Sequence, residues 1–240
     1  MAQPQTLTIP EHIHGYPRVA FGGYVAGMLA RHAGADTVRV DFRRAVPVGA
    51  PVTIAADPDR TALSDADGLL LAEAAPAALT LAPPDAPSWS EAKRATEAAL
   101  SSPDRQVTDC YGCGVLCEPG HGLRLFPWAT PDRRVMAAAW TPDPGLADEH
   151  GELPPEVVWS TLDCPGGIAA WVFQGMGQGA VTAALTATQT QPVLAGAEYI
   201  AYAWAQHRDG RKHTVGVALS TPDGQPCAVA EALWVAPRTA

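Results

Sequence analysis

Aromatic residues are scarce in this chain, 7% of 240 residues, and cations are outnumbered: sixteen Lys and Arg face twenty-five Asp and Glu, for a formal net charge of −9. A surface of that sign repels a phosphate backbone, which argues against nucleic acid as a partner. Long apolar runs are missing too. Each is broken by a charge, Gly or Pro well short of the ~18 residues a membrane span needs, and Met1 to Gly15 lacks the apolar stretch of a secretory signal. The expectation is a soluble, cytoplasmic protein with no membrane partner. What is present is 47% hydrophobic and only 17% charged residues. That excludes disorder and fibre and supplies cores for one large domain or two small ones. The many Ala, Gly and Pro carry little functional information, so chemistry must come from patterns.

There are only five cysteines. Cys110, Cys113 and Cys117, followed by His121, have a short spacing that suits tetrahedral zinc. No second Cys-x-x-Cys or paired His accompanies them, and glycines 112, 114, 120 and 122 crowd the segment. The reading is a turn-rich connector carrying reduced thiols, with no metal expected.

An internal repeat is the strongest pattern. Gly22-Gly23 opens an apolar segment, and Gly166-Gly167 opens another. Pro47-Val48 is echoed by Pro192-Val193. Asp67-Gly68 followed by Ala72-Glu73-Ala74 is echoed by Asp223-Gly224 followed by Ala230-Glu231-Ala232. The three matches keep one order, which argues for duplication. Each glycine pair predicts one long helix, the first ending at Gly34 and the second near Gly175 to Gly179. Period-two alternation then predicts strands at Val38–Phe42, at Val181–Thr190, and at Ile200–Ala205, where Ile200, Tyr202 and Trp204 oppose three alanines. Asp209-Gly210 and Asp223-Gly224 read as hairpin turns. Strands are also expected around Leu123 to Phe126 and Val135 to Trp140. Ser88 and Glu91 form a capping box for a surface linker helix. The class is α+β, helices packed on antiparallel sheet.

A Gly-Gly-led helix wrapped by an antiparallel sheet and duplicated in one chain resembles the double hotdog fold, and within it the acyl-CoA thioesterase II type. The resemblance rests on Phe21-Gly22-Gly23-Tyr24-Val25-Ala26-Gly27, Leu162-Asp163, Thr182 ten residues before Pro192, and the segments 159–167 and 110–114. It implies two long helices, each wrapped by a curved antiparallel β-sheet, with the halves pairing within the chain. The first hotdog unit would span residues 1–87, a linker helix 88–106 and the second unit 107–240. It further implies hydrolysis of an acyl-CoA or acyl-carrier thioester, with coenzyme A entering as part of the substrate and no other cofactor. A monomer or a homo-oligomer would satisfy the fold. Asp163 stands at the family's catalytic Asp and Thr182 at its catalytic Thr. The family's helix-start His is replaced by Phe21, and its strand Gln has no counterpart in Ala230-Glu231-Ala232.

Thioester hydrolysis needs a water, a base and donors aimed at an oxyanion. Asp163 is the candidate base; alternatively it caps a helix beginning at Cys164-Pro165, or sits mid-helix with Pro165 as a kink. Gly22, Gly23, Gly166 and Gly167 are candidate oxyanion or substrate-binding positions, or simply allow close helix-sheet packing. Thr182 would orient the water, although a face shared with Thr186, Thr188 and Thr190 equally suits a solvent-facing strand. Glu231, Gln189 and Gln191 are weaker candidates for the absent amide. One active site per chain is expected, because the counterpart of Asp163, around Arg18 and Val19, has no carboxylate. Other readings are a hotdog hydratase or dehydratase, which the lack of a nearby His weakens, a specialised biosynthetic enzyme, and a non-catalytic acyl-CoA-binding module.

Overall fold

The computed structural model describes residues 3–103, 108–132 and 134–238. In chain order the elements are β1 (Gln5–Thr8), β2 (His14–Tyr16), β3 (Val19–Ala20), α1 (Gly22–Ala30), β4 (Thr37–Phe42), β5 (Pro51–Asp57), β6 (Arg60–Asp65), β7 (Leu70–Pro76), α2 (Trp89–Ser101), β8 (Trp128–Ala129) and β9 (Met136–Trp140). A one-turn 3-10 helix (Pro144–Leu146) follows, then α3 (Pro155–Ser160), α4 (Cys164–Gln174), β10 (Val181–Gln189), β11 (Tyr199–Asp209), β12 (Lys212–Ser220) and β13 (Pro226–Val235). Apart from the small β2–β3 hairpin, every strand joins one sheet in the order β1-β5-β6-β7-β4-β10-β13-β12-β11-β9-β8. All neighbouring pairs are antiparallel.

Strands from the two halves of the chain occupy opposite ends of that sheet and meet where β4 pairs with β10. There Val38 lies opposite Ala187 and Val40 opposite Leu185, all four fully buried. One face of the sheet carries α1, α3 and α4 over a single apolar core. On the other face, Ala92 and Ala95 of α2 pack with Ala137, Ile200, Tyr202, Ala218 and Val229. The predicted alternation of β11 sorts accordingly: Ala201 and Ala203 join the first core, Ile200 and Tyr202 the second. The helix expected only to link the halves therefore also covers sheet. Its capping box is formed, with the Ser88 hydroxyl accepting from the Glu91 N–H and the Glu91 carboxylate from the Ser88 N–H. The expected linker end at 106 and second-unit start at 107 lie outside the described residues.

The expectation of two long helices is corrected. After α1, residues 31–33 wind down through i→i+3 bonds, His32 N–H to Leu29 O and Ala33 N–H to Ala30 O, before Gly34 at φ +63°. The second central helix is interrupted between α3 and α4, because Pro165 lacks an N–H and its ring blocks the carbonyl four residues back. Residues 123–126 form no strand either. Arg124 sits at φ +53°, and the Leu123 and Leu125 N–H groups bond the carbonyls of Tyr111 and Gly112.

Candidate active site

Two glycines one turn apart bring the halves into backbone contact. A Cβ at Gly27 would lie 2.5 Å from Glu156 Cα and from Pro155 O, and one at Gly23 would lie 2.7 Å from Ser160 Cα. Only residues without side chains let α1 and α3 approach so closely. That contact delivers the start of α1 to the residue at which α3 gives way to α4, Asp163.

Asp163 occupies the N-cap position of α4, yet its side chain makes no capping bond to its own helix. Its Oδ2 instead accepts the Gly23 N–H of α1 at 2.7 Å, and its Oδ1 accepts the Thr182 hydroxyl of β10 at 2.7 Å. Both of the open sequence readings are partly met: a helix does begin near Glu156, Pro165 does break it, and Asp163 stands at the break. Asp163 is 2% exposed. Burial raises its pKa to about 6, against the opposing pull of the Thr182 and Gly23 hydrogen bonds. The result is a carboxylate held ionised at neutral pH by two donors, but more basic than an exposed aspartate. Two polar contacts fix its geometry, one from each half of the chain.

Gly22 lies beside this group. A Cβ there would sit 3.0 Å from Asp163 Oδ2 and 3.4 Å from Thr182 Oγ1. Gly22 and Thr182 are half-buried, unlike Asp163 itself. Two surface cavities, of about 440 and 330 Å³, are lined by His12, His14, Asp109 and neighbours and by Pro83, Tyr202, Asp223 and neighbours. Neither is bordered by Asp163.

The remaining sequence candidates fall elsewhere. Gly23 is not a free oxyanion donor, since its N–H is given to Asp163. Gly167 bonds the Asp163 carbonyl; a Cβ there would meet the Trp234 ring at 2.8 Å, and one at Gly166 would meet Val217 and Val215 at 2.9 and 3.0 Å. These two glycines let α4 settle onto β12 and β13. Glu231 does not reach the site: its neighbours Ala230 and Ala232 face the helix-side core, so by alternation its own side chain leaves the other face of β13. Gln189, with Gln191, is at the far end of β10, where its amide donates to the Gln191 carbonyl.

Thr182 also differs from expectation in its face. A bulge between Thr182 and Ala184 shifts the register against β13 and turns Thr182 to the side of Leu185 and Ala187, away from Thr186 and Thr188. The residue opposite Thr182 is Trp234, which sequence reasoning missed. The Asp223-Gly224 hairpin places β13, but the bulge leaves no clear sequence signal.

No family model matches the chain, and no curated protein matches it. Solved structures do. A tesB protein from Mycobacterium avium subsp. paratuberculosis is 13% identical and superposes with a TM-score of 0.65, covering 98% of this chain and 93% of its own. The acyl-CoA thioesterase II TesB2 from Mycobacterium marinum gives 13% identity and a TM-score of 0.56 over 92% and 91%. The fold is that of the thioesterase II structures. A proposed thioesterase from Novosphingobium aromaticivorans, 11% identical, gives a TM-score of 0.67 over 98% and 96%. At such identities the likeness establishes the shared double hotdog architecture and leaves chemistry to the residues. Among the described residues no helix is long and apolar enough to cross a membrane.

Proposed function

We propose that the protein is a thioesterase that hydrolyses an acyl-CoA or acyl-carrier thioester with water activated at Asp163. One observation carries the reading: a buried carboxylate from the second half of the chain is held between the Gly23 N–H of the first half and the Thr182 hydroxyl. A capping aspartate would bond its own helix; this one is aimed across the seam.

In this mechanism Asp163 takes a proton from water as the water attacks the thioester carbonyl. The oxyanion faces the first turn of α1, where Gly22 has an N–H without an intrahelical partner and no side chain to block approach. Collapse of the tetrahedral intermediate breaks the C–S bond, and the proton held on Asp163 passes to the departing thiolate. Thr182 keeps the carboxylate in one orientation through both steps. With an acyl-CoA, coenzyme A is part of the substrate; with either thioester the acyl chain enters past Gly22. The single carboxylate gives one competent site per chain.

The test is a panel of acyl-CoA thioesters followed by release of free thiol, with Asp163→Asn and Asp163→Ala beside the parent. Turnover by the parent that falls by about 10²–10⁴ in both variants is expected for loss of a general base. Binding without turnover by the parent would favour an acyl-CoA-binding module, and an altered acyl chain still joined to CoA a lyase.

A further inference from the structure

Three of the five cysteines converge in space although the sequence scatters them. The sulfurs of Cys110, Cys113 and Cys164 all lie within 4.8 Å of one another, and those of Cys110 and Cys164 are 3.7 Å apart. None of the three is in a disulfide. The loop that supplies the first two is a tight knuckle: Gly114 N–H donates to the Cys110 carbonyl at 2.7 Å, and the Cys113 N–H donates to Cys110. A Cβ at Gly114 would lie 2.7 Å from both Cys110 N and Cys110 O, and one at Gly112 would lie 2.7 Å from the Cys164 sulfur. The third thiol reaches the other two only because residue 112 has no side chain.

The set suggested by spacing alone is not assembled. Cys117 donates to the carbonyls of Cys110 and Asp109 at 3.3 and 3.6 Å, and His121 is exposed beside Glu118. Cys164 takes their place from the start of α4, some fifty residues on in the chain.

As thiols the three gain little from one another, because S–H is a weak donor. Buried together they resist ionisation: Cys110 is pushed up to about 12, first by its hydrogen bond with Cys113 and against the opposing bond with Cys164, and Cys164 well above its usual value, first by Cys110. A soft divalent cation reverses the balance, since thiolates are its preferred ligands. Zinc–sulfur bonds of about 2.3 Å in tetrahedral geometry place ligand sulfurs about 3.8 Å apart, the spacing of Cys110 and Cys164. We propose that Cys110, Cys113 and Cys164 bind one zinc ion, each cysteine releasing its proton to solvent and a water completing the tetrahedron. The ion would pin the 110–114 loop to the start of α4, one residue from Asp163. The proposal stands independently of the thioesterase reading.

The full chain, stripped of metal by a chelator under a phosphine reductant, is titrated with zinc chloride against a chromophoric chelator, and cysteines left open to alkylation are identified by mass spectrometry with and without zinc. The expected result is one zinc per chain, with zinc slowing alkylation of Cys110, Cys113 and Cys164 below the rate their burial alone sets, and half-exposed Cys117 modified equally with or without it; buried Cys227 gives no contrast. Cobalt in place of zinc gives an intense thiolate-to-metal charge-transfer band. Cys113→Ser and Cys164→Ser weaken zinc binding on the order of 100-fold or more, whereas Cys117→Ser leaves it unchanged. Absence of stoichiometric binding, or protection that falls on Cys117 rather than Cys164, overturns the proposal. The alkylation map needs no variant, so a misfolded substitution cannot decide the matter.

Discussion

Thr182 and Trp234 are cross-strand partners at the end of β10 and β13, one residue before the bulge that turns Thr182 toward Asp163. The Trp234 ring covers Gly167, and its indole N–H is buried without a hydrogen-bond partner among the described residues. An unpaired buried donor costs about 1–3 kcal/mol, which offsets what the ring gains by packing. Trp234→Phe, which keeps a ring over Gly167 and removes the donor, is therefore expected to melt within about 1 kcal/mol of the parent. Trp234→Ala should cost more, about 2–3 kcal/mol, the lower end of core truncations because the ring is half-buried. Chemical denaturation of the three proteins checks the ordering; a Phe variant as unstable as Ala would mean the N–H has a partner.

The Thr182 hydroxyl is one of two donors to a carboxylate that is otherwise out of water. Thr182→Ser keeps that bond, while Thr182→Val keeps the shape and removes it. The Val variant should lose about 1.5–3 kcal/mol of stability, the worth of a hydrogen bond to a charged group. Its thioester turnover should fall while the Ser variant stays within a few-fold of the parent. Equal turnover in Val and Ser would remove Thr182 from the positioning role.

Gly23 and Gly27 make the same backbone approach to α3, but only Gly23 also donates to Asp163. Ala at either position must push α1 and α3 apart, an overpacking cost of about 1–3 kcal/mol. The two variants should therefore melt alike. Turnover per folded molecule should drop much further in Gly23→Ala, measured with thiol release normalised to the folded fraction by circular dichroism. Equal turnover would show that the Gly23 bond does not set the geometry of the carboxylate.

Much of this was legible in the residues, for physical reasons. Alternation along β4, β10 and β11 was readable because each strand separates two environments, and paired glycines were readable because helices that touch through backbone tolerate little else. Asp163 with Thr182 could be named together from family likeness, but the donor that completes the pair, Gly23 N–H, is a backbone group and leaves no side-chain signature. Tertiary geometry hid the rest. Pro165 could have been an N1 proline or a kink, and the choice depended on α3 being held against α1. The bulge after Thr182 inverted one face without any change in residue type. Cys164 joined Cys110 and Cys113 through space, where spacing along the chain pointed to Cys117 and His121.

His213 supplies a pH dependence of stability. It is 1% exposed, and its Nδ1 lies 3.1 Å from Gln174 Oε1. The Gln174 Nε2 donates to the carbonyls of His207 and Thr214, which fixes the amide so that its oxygen faces the ring and Nδ1 carries the proton. Burial, then the nearby Arg208 cation, lowers the pKa of His213 below its usual 6.5. In the unfolded chain the residue binds a proton as pH falls through about 6.5, while the folded form resists until a lower pH. The unfolded state therefore holds more protons in that window, and stability falls as pH drops through it. At neutral pH and above, His213 is neutral in both states and contributes no such slope. Asp163, raised to about 6, gives the opposite slope in the same window in both proteins, so the measurement is the difference: from pH 7.5 to 5.5 the stability of the parent should decline relative to that of His213→Asn, which does not titrate. A variant with the same slope as the parent would assign the acid sensitivity to another group.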